Sequence, residues 1–307
     1  MYTKNPAKDV LLFAKAVASN LVARWTPGFY VKLTRQTGRG RDGEKPEEIA
    51  RYFRSCVNDY RDQLGLSDSE FDLYLRGKVV LEYGPGDILG VALLLIARGA
   101  ERVHCVDRFP LSSTSDKNLA VYRLLIDSLE GEQRRRALAA FSEAGRPESG
   151  FASQRIDYLV SPNGLSGATN AYDLVISRAV LEHVNNLDDT MLDIAKSMKP
   201  TGMAVHQVDL KSHGLDRYVE FDFLTWPSVL YRLMYSHKGF PNRWRVDRYR
   251  TLAVNAGLKI TRLTPTDKLE PGRLSSIQPY MAPEFRNTPI EELCWAGFWI
   301  QMIRGDA

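Results

Sequence analysis

The residues best suited to bind a charged ligand lie in a short segment that follows an apolar run. Residues 79–83 are predicted to form a strand, and Gly84-Pro85-Gly86-Asp87 follows directly. Glycines at such a turn let the backbone approach a ligand that a Cβ atom would exclude. Asp107, at the end of the next predicted strand, is placed to accept hydrogen bonds from both hydroxyls of a ribose. The pattern predicts a site for a nucleoside-containing ligand.

Two kinds of nucleoside cofactor compete for this turn. A dinucleotide site is expected to read G-x-G-x-x-G, but Leu89 stands at the third glycine position and Gly90 comes one residue late. Glu82 and Asp87 would repel a pyrophosphate, whereas they would attract a sulfonium and an ammonium group. These charges favour S-adenosylmethionine over NAD. The alternative is a turn that only packs a helix on a strand, with Asp107 as a solvated cap.

The elements that must position these residues alternate between strands and helices from Lys78 onward, which is typical of a parallel sheet covered on both faces. The predicted strands are 79–83, 102–106, 153–160, 173–177, 203–210, 258–263 and 293–304. The predicted helices of this part are 89–98, 119–130, 132–144, 187–198 and 248–256, and residues 199–202 (KPTG) are expected to form the turn after the fourth of them.

Several motifs, in the expected order, resemble those of class I S-adenosylmethionine-dependent methyltransferases. They are Glu82-Tyr83-Gly84-Pro85-Gly86, Asp107, the strand 172–177 with Val180-Leu181-Glu182-His183-Val184, and Lys199-Pro200-Thr201-Gly202, which is similar to a K-P-G-G turn. Together they cover residues 78–210. The combination of G-P-G-D, S-x-x-V-L-E-H-V and His206-Gln207-x-Asp209 further resembles a bacterial subgroup associated with glycan or polysaccharide biosynthesis.

The resemblance implies an α/β, Rossmann-like class I methyltransferase sheet that is mostly parallel, with seven strands and the last one antiparallel. It divides the chain into an N-terminal helical extension (1–77) and a methyltransferase domain (78–307), with a lid-like insertion at 211–248 after strand five. In the extension we expect helices over 9–25 and 46–64. The first should dock on the main sheet through an apolar stripe of Val10, Ala14, Val17, Leu21 and Trp25.

The resemblance also assigns the cofactor-binding residues. Glu82, Tyr83 and the backbone of Gly84 and Gly86 would hold the methionine end, Asp107 the ribose, and Arg108 the adenine. Asp157 or Tyr158, expected after the third strand, would border the adenine, and Ser177 would lie under the methionine moiety.

The methyl acceptor is harder to identify from sequence. A hydroxyl acceptor needs a base, because an alcohol is a poor nucleophile near neutral pH. The candidates are His183, after strand four, and the pair Asp209 and His213 at the end of strand five; a helix-start or loop-anchoring role is as plausible for each. His206 should point away from Asp209, because strand side chains alternate. We expect no metal, since Asp209 with His213 offers too few ligands.

The insertion 211–248 combines aromatic residues with arginines. Such a surface could bind a sugar or a phosphate-bearing conjugate, or it could be the hydrophobic core of a small subdomain. Our leading hypothesis is O-methylation of a saccharide or a glycan-linked acceptor. The alternatives are a small-molecule O-, N- or C-methyltransferase of secondary metabolism and a non-catalytic S-adenosylmethionine-binding protein.

The charge and composition of the chain limit the classes of partner that it is expected to bind. A formal net charge of +4 is too small to indicate nucleic acid, and no N-P-P-[YF] tetrad is present for a flipped base. Three scattered cysteines suggest free thiols, and the N-terminal segment does not resemble a signal peptide, so the cytoplasm is the expected compartment. The first 45 residues hold nine Lys or Arg against three acids. Contact with a membrane surface is therefore a further hypothesis, although docking of the first helix on the protein is favoured.

Overall fold

The computed structural model describes residues 5–34 and 43–305. Across these residues, seven strands form one sheet in the order β3-β2-β1-β4-β5-β7-β6. They are β1 (Val79–Tyr83), β2 (Arg102–Asp107), β3 (Ile156–Val160), β4 (Tyr172–Arg178), β5 (Met198–Asp209), β6 (Leu258–Lys268) and β7 (Trp295–Arg304). β1 pairs in parallel with β2 and β4, and β2 with β3, whereas β7 is antiparallel to β6. The predicted fold class is confirmed.

The helices begin and end largely where capping residues and glycines indicate. They are α1 (Pro6–Trp25), α2 (Pro27–Thr34), α3 (Pro46–Leu64), α4 (Asp68–Leu75), α5 (Gly90–Arg98), α6 (Asp116–Asp127), α7 (Gly131–Leu138), α8 (Leu187–Ser197), α9 (Ser228–Tyr235), α10 (Val246–Asn255), α11 (Pro271–Ile277), α12 (Pro283–Arg286) and α13 (Ile290–Leu293). α3, for example, ends at Leu64 and is capped by Gly65, which has a left-handed φ of 70°. No helix in the described ranges is long and apolar enough to cross a membrane.

The described residues fall into two compact units. One comprises 43–177 and 193–205 and carries β1 to β3 with α3 to α7, while the other comprises 5–34, 178–192 and 206–305. α1 and α2 belong to one unit, and α3 and α4 belong to the other. The division into a helical extension (1–77) and a methyltransferase domain (78–307) stays a prediction.

The unit that carries β1 has a core of apolar strands and an apolar helix. α5 is buried from Gly90 to Ala97, as expected for a helix that covers a parallel sheet. Gly90 is required by packing, since a Cβ atom there would lie 2.5 Å from the ring of Phe53 on α3. The late third glycine of the turn therefore accommodates a neighbouring helix.

The predicted turn at Lys199-Pro200-Thr201-Gly202 is wrong. α8 ends at Ser197, and β5 begins at Met198, so these four residues belong to the strand. A Cβ atom on Gly202 would lie 2.9 Å from the carbonyl oxygen of Tyr172, which explains the glycine without a turn. Other predicted bounds were too long: the third strand begins at Ile156, and the helix predicted for 132–144 ends at Leu138.

The predicted packing of the first helix is also wrong. α1 buries Ala16, Asn20 and Ala23, whereas most of the predicted stripe is exposed, with Trp25 73 % exposed. Its partner is α9, where the Asn20 side-chain amide donates to the carbonyl oxygen of Leu233 at 2.9 Å. A polar residue thus anchors the buried face, which hydrophobic periodicity does not detect.

The insertion is a hydrophobic subdomain. Its buried aromatic residues pack with residues 274–296 in one core, and they include Phe221, Phe223, Trp226, Tyr231 and Tyr235. Arg245 is 1 % exposed and donates to the carbonyl oxygens of Leu210 at 3.0 Å and Leu293 at 3.2 Å. The subdomain-core interpretation is therefore confirmed for these aromatic residues.

Candidate functional site

The turn after β1 has a backbone that favours glycine. Gly84 and Gly86 adopt φ values of 60° and 78°, in the left-handed region that side chains disfavour. The Gly84 N–H donates to the carbonyl oxygen of Val106 at 2.8 Å, and the Gly86 N–H donates to the carboxylate of Asp107. The turn is thus fixed to the end of β2, as a ligand site at the carboxyl ends of the strands requires.

The carboxyl group of Glu82 is buried, and little hydrogen bonding compensates for the loss of its hydration. It is 7 % exposed, and the Cys105 thiol donates to its Oε2 at 3.7 Å. Burial, together with the charge of Asp107, raises its pKa to about 8. A bound cation would favour the ionised form, so this pocket suits a positively charged ligand.

Asp107 is held by main-chain groups at the end of β2. It is 8 % exposed, and its carboxylate accepts from the Phe109 N–H at 3.1 Å. Burial raises its pKa, although hydrogen bonds from Phe109, Arg108 and Gly86 oppose this effect. The Arg108 guanidinium lies 4.6 Å from the centre of the Phe109 ring, and burial lowers the pKa of Arg108.

Tyr83 and Ser177 lie opposite each other at the ends of β1 and β4. The Tyr83 hydroxyl donates to Asp193, whose carboxylate also accepts from the N–H groups of Ser166 and Gly167. The Tyr83 side chain therefore helps to hold the loop after β3. The predicted contact of Tyr83 with a cofactor would then involve its main chain. Ser177 is fully buried.

Asp157 lies within β3, opposite His104, so its predicted position after the strand is wrong. Its carboxylate is 3.9 Å from Arg102. A cavity of about 270 Å³ is lined by Asp157 and Tyr158 together with Leu89, Tyr122 and others. A contact of Asp157 or Tyr158 with adenine stays a prediction. The Tyr158 hydroxyl donates to the carbonyl oxygen of Phe109 at 2.8 Å, which fixes the loop after Asp107.

Two residues of α6 that sequence reasoning missed hold the turn in place. The side-chain amide of Asn118, which is 2 % exposed, donates to the carbonyl oxygens of Asp87 and Ser113, both at 3.0 Å. The Tyr122 hydroxyl accepts from the Leu89 N–H at 3.0 Å. The sequence signal for Asn118 is weak, because it follows the capping serine of a helix, where polar residues are ordinary.

The structure brings the three predicted catalytic residues together. The rings of His183 and His213 are 4.8 Å apart, at an interplanar angle of 65°. Asp209 Oδ2 lies 4.0 Å from His213 Nε2. The end of β4 reaches the end of β5 here, because the Ala179 N–H donates to the carbonyl oxygen of Gln207. His213 has a φ of 51°, an uncommon conformation for a residue with a side chain.

Glu182 completes this group, which we call the histidine cluster (Glu182, His183, Asp209 and His213). It is 1 % exposed, and among the described residues neither carboxylate oxygen has a hydrogen-bond partner of normal geometry. Burial, with the charge of Asp209, raises its pKa well above the usual range. Its Oε1 lies 3.8 Å from His183 Nε2.

The remaining strand histidines have structural roles. His206, in β5, is fully buried, and burial lowers its pKa to about 3, so it is neutral. Asp209 is partly exposed, in agreement with the predicted alternation of the two side chains. His104 Nδ1 is 2.9 Å from the Tyr172 hydroxyl.

The sequence analysis expected too few ligands for a metal beside His213, and the structure does not support this expectation. One ligand atom each from Glu182, His183 and His213 can be chosen so that all lie within 4.8 Å of one another. Because a carboxylate and two imidazoles are common ligands of divalent transition metals, the group is a candidate metal centre as well as a candidate base.

Comparisons with known proteins give the following results. The sequence model of a family described as a methyltransferase domain matches residues 61–263. No curated protein sequence matches the chain. Among solved structures, an S-adenosylmethionine-dependent methyltransferase from Mesorhizobium loti has 16 % identity and a TM-score of 0.42, over 75 % of this chain and 92 % of that chain.

Two further structures have similar scores. Magnesium protoporphyrin IX methyltransferase from Synechocystis, with bound SAH, has 13 % identity and a TM-score of 0.42, over 84 % of this chain and 83 % of that one. A TehB-like methyltransferase from Corynebacterium glutamicum has 12 % identity and a TM-score of 0.37, over 82 % and 98 %.

The family match spans the glycine turn, Asp107 and the histidine cluster. The buried carboxyl groups of Glu82 and Asp107 fit the cationic cofactor that such a domain uses. The chain belongs to the methyltransferase-domain family, and it is an S-adenosylmethionine-dependent methyltransferase.

Proposed function

We propose that this enzyme methylates a hydroxyl group of a saccharide or a glycan-linked acceptor. The observation that carries the proposal is the histidine cluster, in which two imidazole rings 4.8 Å apart lie beside the carboxylate of Asp209. Nitrogen and sulfur acceptors often need no base, whereas a hydroxyl must lose its proton as the methyl group is transferred. A group of this composition is the kind that a hydroxyl acceptor requires.

Each residue has a separate role in the proposed methyl transfer. S-adenosylmethionine supplies the methyl group. Glu82 and Asp107 hold its charged and ribose parts, and the glycine turn lets the backbone approach it. His213 takes the proton of the acceptor hydroxyl, and Asp209 stabilises the imidazolium that forms, as a carboxylate does beside a histidine base. Transfer is an in-line displacement, so alignment of acceptor and donor supplies much of the rate.

The saccharide class is supported only by a resemblance: the combination G-P-G-D, S-x-x-V-L-E-H-V and His206-Gln207-x-Asp209 resembles a bacterial subgroup associated with glycan or polysaccharide biosynthesis. It gains no support from the aromatic residues of the insertion core, because Phe221, Phe223 and Trp226 are buried. The small-molecule alternative uses the same cluster on another hydroxyl. A non-catalytic role is disfavoured by the match of residues 61–263 to a methyltransferase-domain family.

The test is a transfer assay with S-adenosylmethionine labelled in the methyl group, using nucleotide sugars, oligosaccharides and glycolipids beside phenols and amines. We expect label on a sugar hydroxyl and a loss of kcat of at least about 100-fold in H213A and D209N, with cofactor affinity unchanged. H237A, a histidine of the same unit outside the cluster, is the matched control. Labelling of amines alone, or a kcat unchanged in H213A, would contradict the proposal.

A further inference from the structure

The histidine cluster contains a carboxyl group in an unusual position. Glu182 is 1 % exposed, and within the described part of the chain its two oxygens have no hydrogen-bond partner of normal geometry. Asn242 fixes the backbone of this segment, because its side-chain amide donates to the carbonyl oxygen of Leu181 at 2.8 Å. The main-chain N–H groups of Glu182 and Asp209 face this carboxyl group, but no donor among the described residues reaches its oxygens with normal hydrogen-bond geometry. A buried carboxyl group whose charge is compensated so weakly is suited to bind a cation from outside the chain.

Two imidazoles lie within reach of this carboxyl group. His183 Nε2 is 3.8 Å from Glu182 Oε1, and one ligand atom from each of Glu182, His183 and His213 can be chosen so that all lie within 4.8 Å of one another. Metal–ligand bonds of about 2.0–2.2 Å place such atoms about 3.4 Å apart in a tetrahedral site. Both histidine side chains are about 30 % exposed, so small rotations can bring the ligand atoms to this spacing.

We propose that Glu182, His183 and His213 bind a divalent transition-metal ion. Two imidazoles and one carboxylate suit Zn²⁺, and also Fe²⁺ or Mn²⁺, better than Mg²⁺ or Ca²⁺, which prefer oxygen ligands. With Asp209 Oδ2 lying 4.0 Å from His213 Nε2, the carboxylate can accept a hydrogen bond from this nitrogen while Nδ1 binds the metal. Such a carboxylate orients a metal-binding histidine.

Three protein ligands leave at least one coordination position for an outside oxygen. In this respect the inference rests on the proposed function, because a hydroxyl acceptor bound there would lose its proton more readily. His213 would then act as a ligand, the metal would lower the pKa of the bound hydroxyl, and the proton that the hydroxyl loses would pass to solvent at this partly exposed site.

The experiment is a calorimetric titration of the full chain with Zn²⁺ after removal of bound metal by a chelator. Titration with Co²⁺ adds visible absorption bands that report the coordination geometry. We expect one ion per chain and an affinity at least about 10-fold weaker in E182Q and H213A, with H237A unchanged. E182Q keeps the shape of the side chain, and thermal unfolding of the metal-free variants shows that they are folded.

The outcomes separate this inference from the proposed function. Absence of Zn²⁺ and Co²⁺ binding, or equal binding by E182Q and the unsubstituted chain, overturns the metal site. If H213A then still abolishes methyl transfer to a hydroxyl, the proposed base function stands. If the ion binds as expected but no hydroxyl is methylated, the metal site stands and the proposed function falls.

A second inference rests on a different feature, the exposed face of α1 and α2. Leu11, Ala14, Ala18, Leu21 and Trp25 follow helical spacing, and all five are exposed, Trp25 by 73 %. α1 is therefore apolar on two sides, one of which packs on α9. A contiguous apolar surface of this kind marks an interaction site.

The charges around this face indicate what it binds. Phe29 and Leu33 of α2 are also exposed, and the basic side chains Lys8, Lys15 and Arg24 are exposed on the same helix as Trp25. We infer that this apolar face (Leu11, Ala14, Ala18, Leu21 and Trp25 of α1, with Phe29 and Leu33 of α2) lies on an anionic membrane surface. Basic residues beside exposed leucine and tryptophan are typical of helices that bind in the plane of a membrane interface.

The test is co-sedimentation of the full chain with vesicles of phosphatidylcholine alone or with 30 mol % phosphatidylglycerol, a fraction of about one third chosen to give a strongly anionic surface. We expect binding to the anionic vesicles, weakened by salt and lost in L21Q/W25Q, whereas V254Q, at an exposed valine of α10, binds normally. Equal binding by L21Q/W25Q contradicts the inference. So does dimerisation through these residues without vesicle binding.

Discussion

The charge state of Glu82 gives the sharpest test of the cofactor site. Its pKa of about 8 means that about one carboxyl group in ten is ionised at pH 7 in the free enzyme. A cationic donor favours the ionised form, so binding should release a proton and the contribution of Glu82 to the affinity should rise with pH through about 8. If only the ionised form binds, the contribution of Glu82 to the affinity is about 10-fold smaller at pH 7 than at pH 9, or about 1.4 kcal/mol.

The perturbation is Glu82→Gln, which keeps the shape of the side chain and removes its titration. The α-amino group of the donor has a pKa in the same range, near 8, so it also changes the affinity with pH. This contribution cancels in the ratio of the affinities of the unsubstituted enzyme and of E82Q. We expect that ratio to increase by about 10-fold from pH 7 to pH 9.

The assay is isothermal titration calorimetry with S-adenosylmethionine between pH 6.5 and 9, in buffers of different ionisation enthalpy. The buffer dependence of the heat counts the released proton. E101Q, which removes an exposed carboxylate of the same unit, should behave like the unsubstituted enzyme. A ratio that is constant over this range, or proton release that is equal in E82Q, would refute the reasoning.

Three further predictions concern residues that stabilise the inside of one unit or the other. G90A should lower the free energy of unfolding by about 1–3 kcal/mol in denaturant titrations, because its Cβ atom meets Phe53 at 2.5 Å, and F53L should restore part of the loss. N118A removes the hydrogen bonds that join the loops after β1 and β2, and calorimetry should show weaker binding of S-adenosylmethionine, with an unfolding cost of about 1–3 kcal/mol. R245M leaves buried carbonyl oxygens without donors and should cost at least about 3 kcal/mol in urea unfolding. Unchanged values in any of the three would contradict the role assigned to that residue.

The parallel part of the fold was predictable because its signals are local. β1 has the predicted bounds, and β2 and β4 differ from them by one or two residues, since each is an apolar run between polar or glycine residues. α1 shows the limit of this approach. An apolar helix has more than one face that could be buried. The face of α1 that is buried contains Asn20, whose hydrogen bonds reach residues in and after α9, more than 200 positions away in the sequence.

The two candidate sites differ in the same way. The cofactor turn is a contiguous motif, so Glu82, Gly84, Gly86 and Asp107 could be found by type and spacing. The histidine cluster depends on the approach of two segments that lie about 30 residues apart, and the burial of Glu182 has no local signal. Sequence reasoning therefore found candidate bases but missed the candidate metal ligand set.

The most direct test of the account is a crystal structure of the enzyme soaked with S-adenosylmethionine. We predict that the methionine end lies at the Gly84–Gly86 turn beside Glu82 and that the ribose hydroxyls contact Asp107. An empty turn in crystals that bind the cofactor elsewhere, or a donor whose ribose lies away from Asp107, would contradict the account.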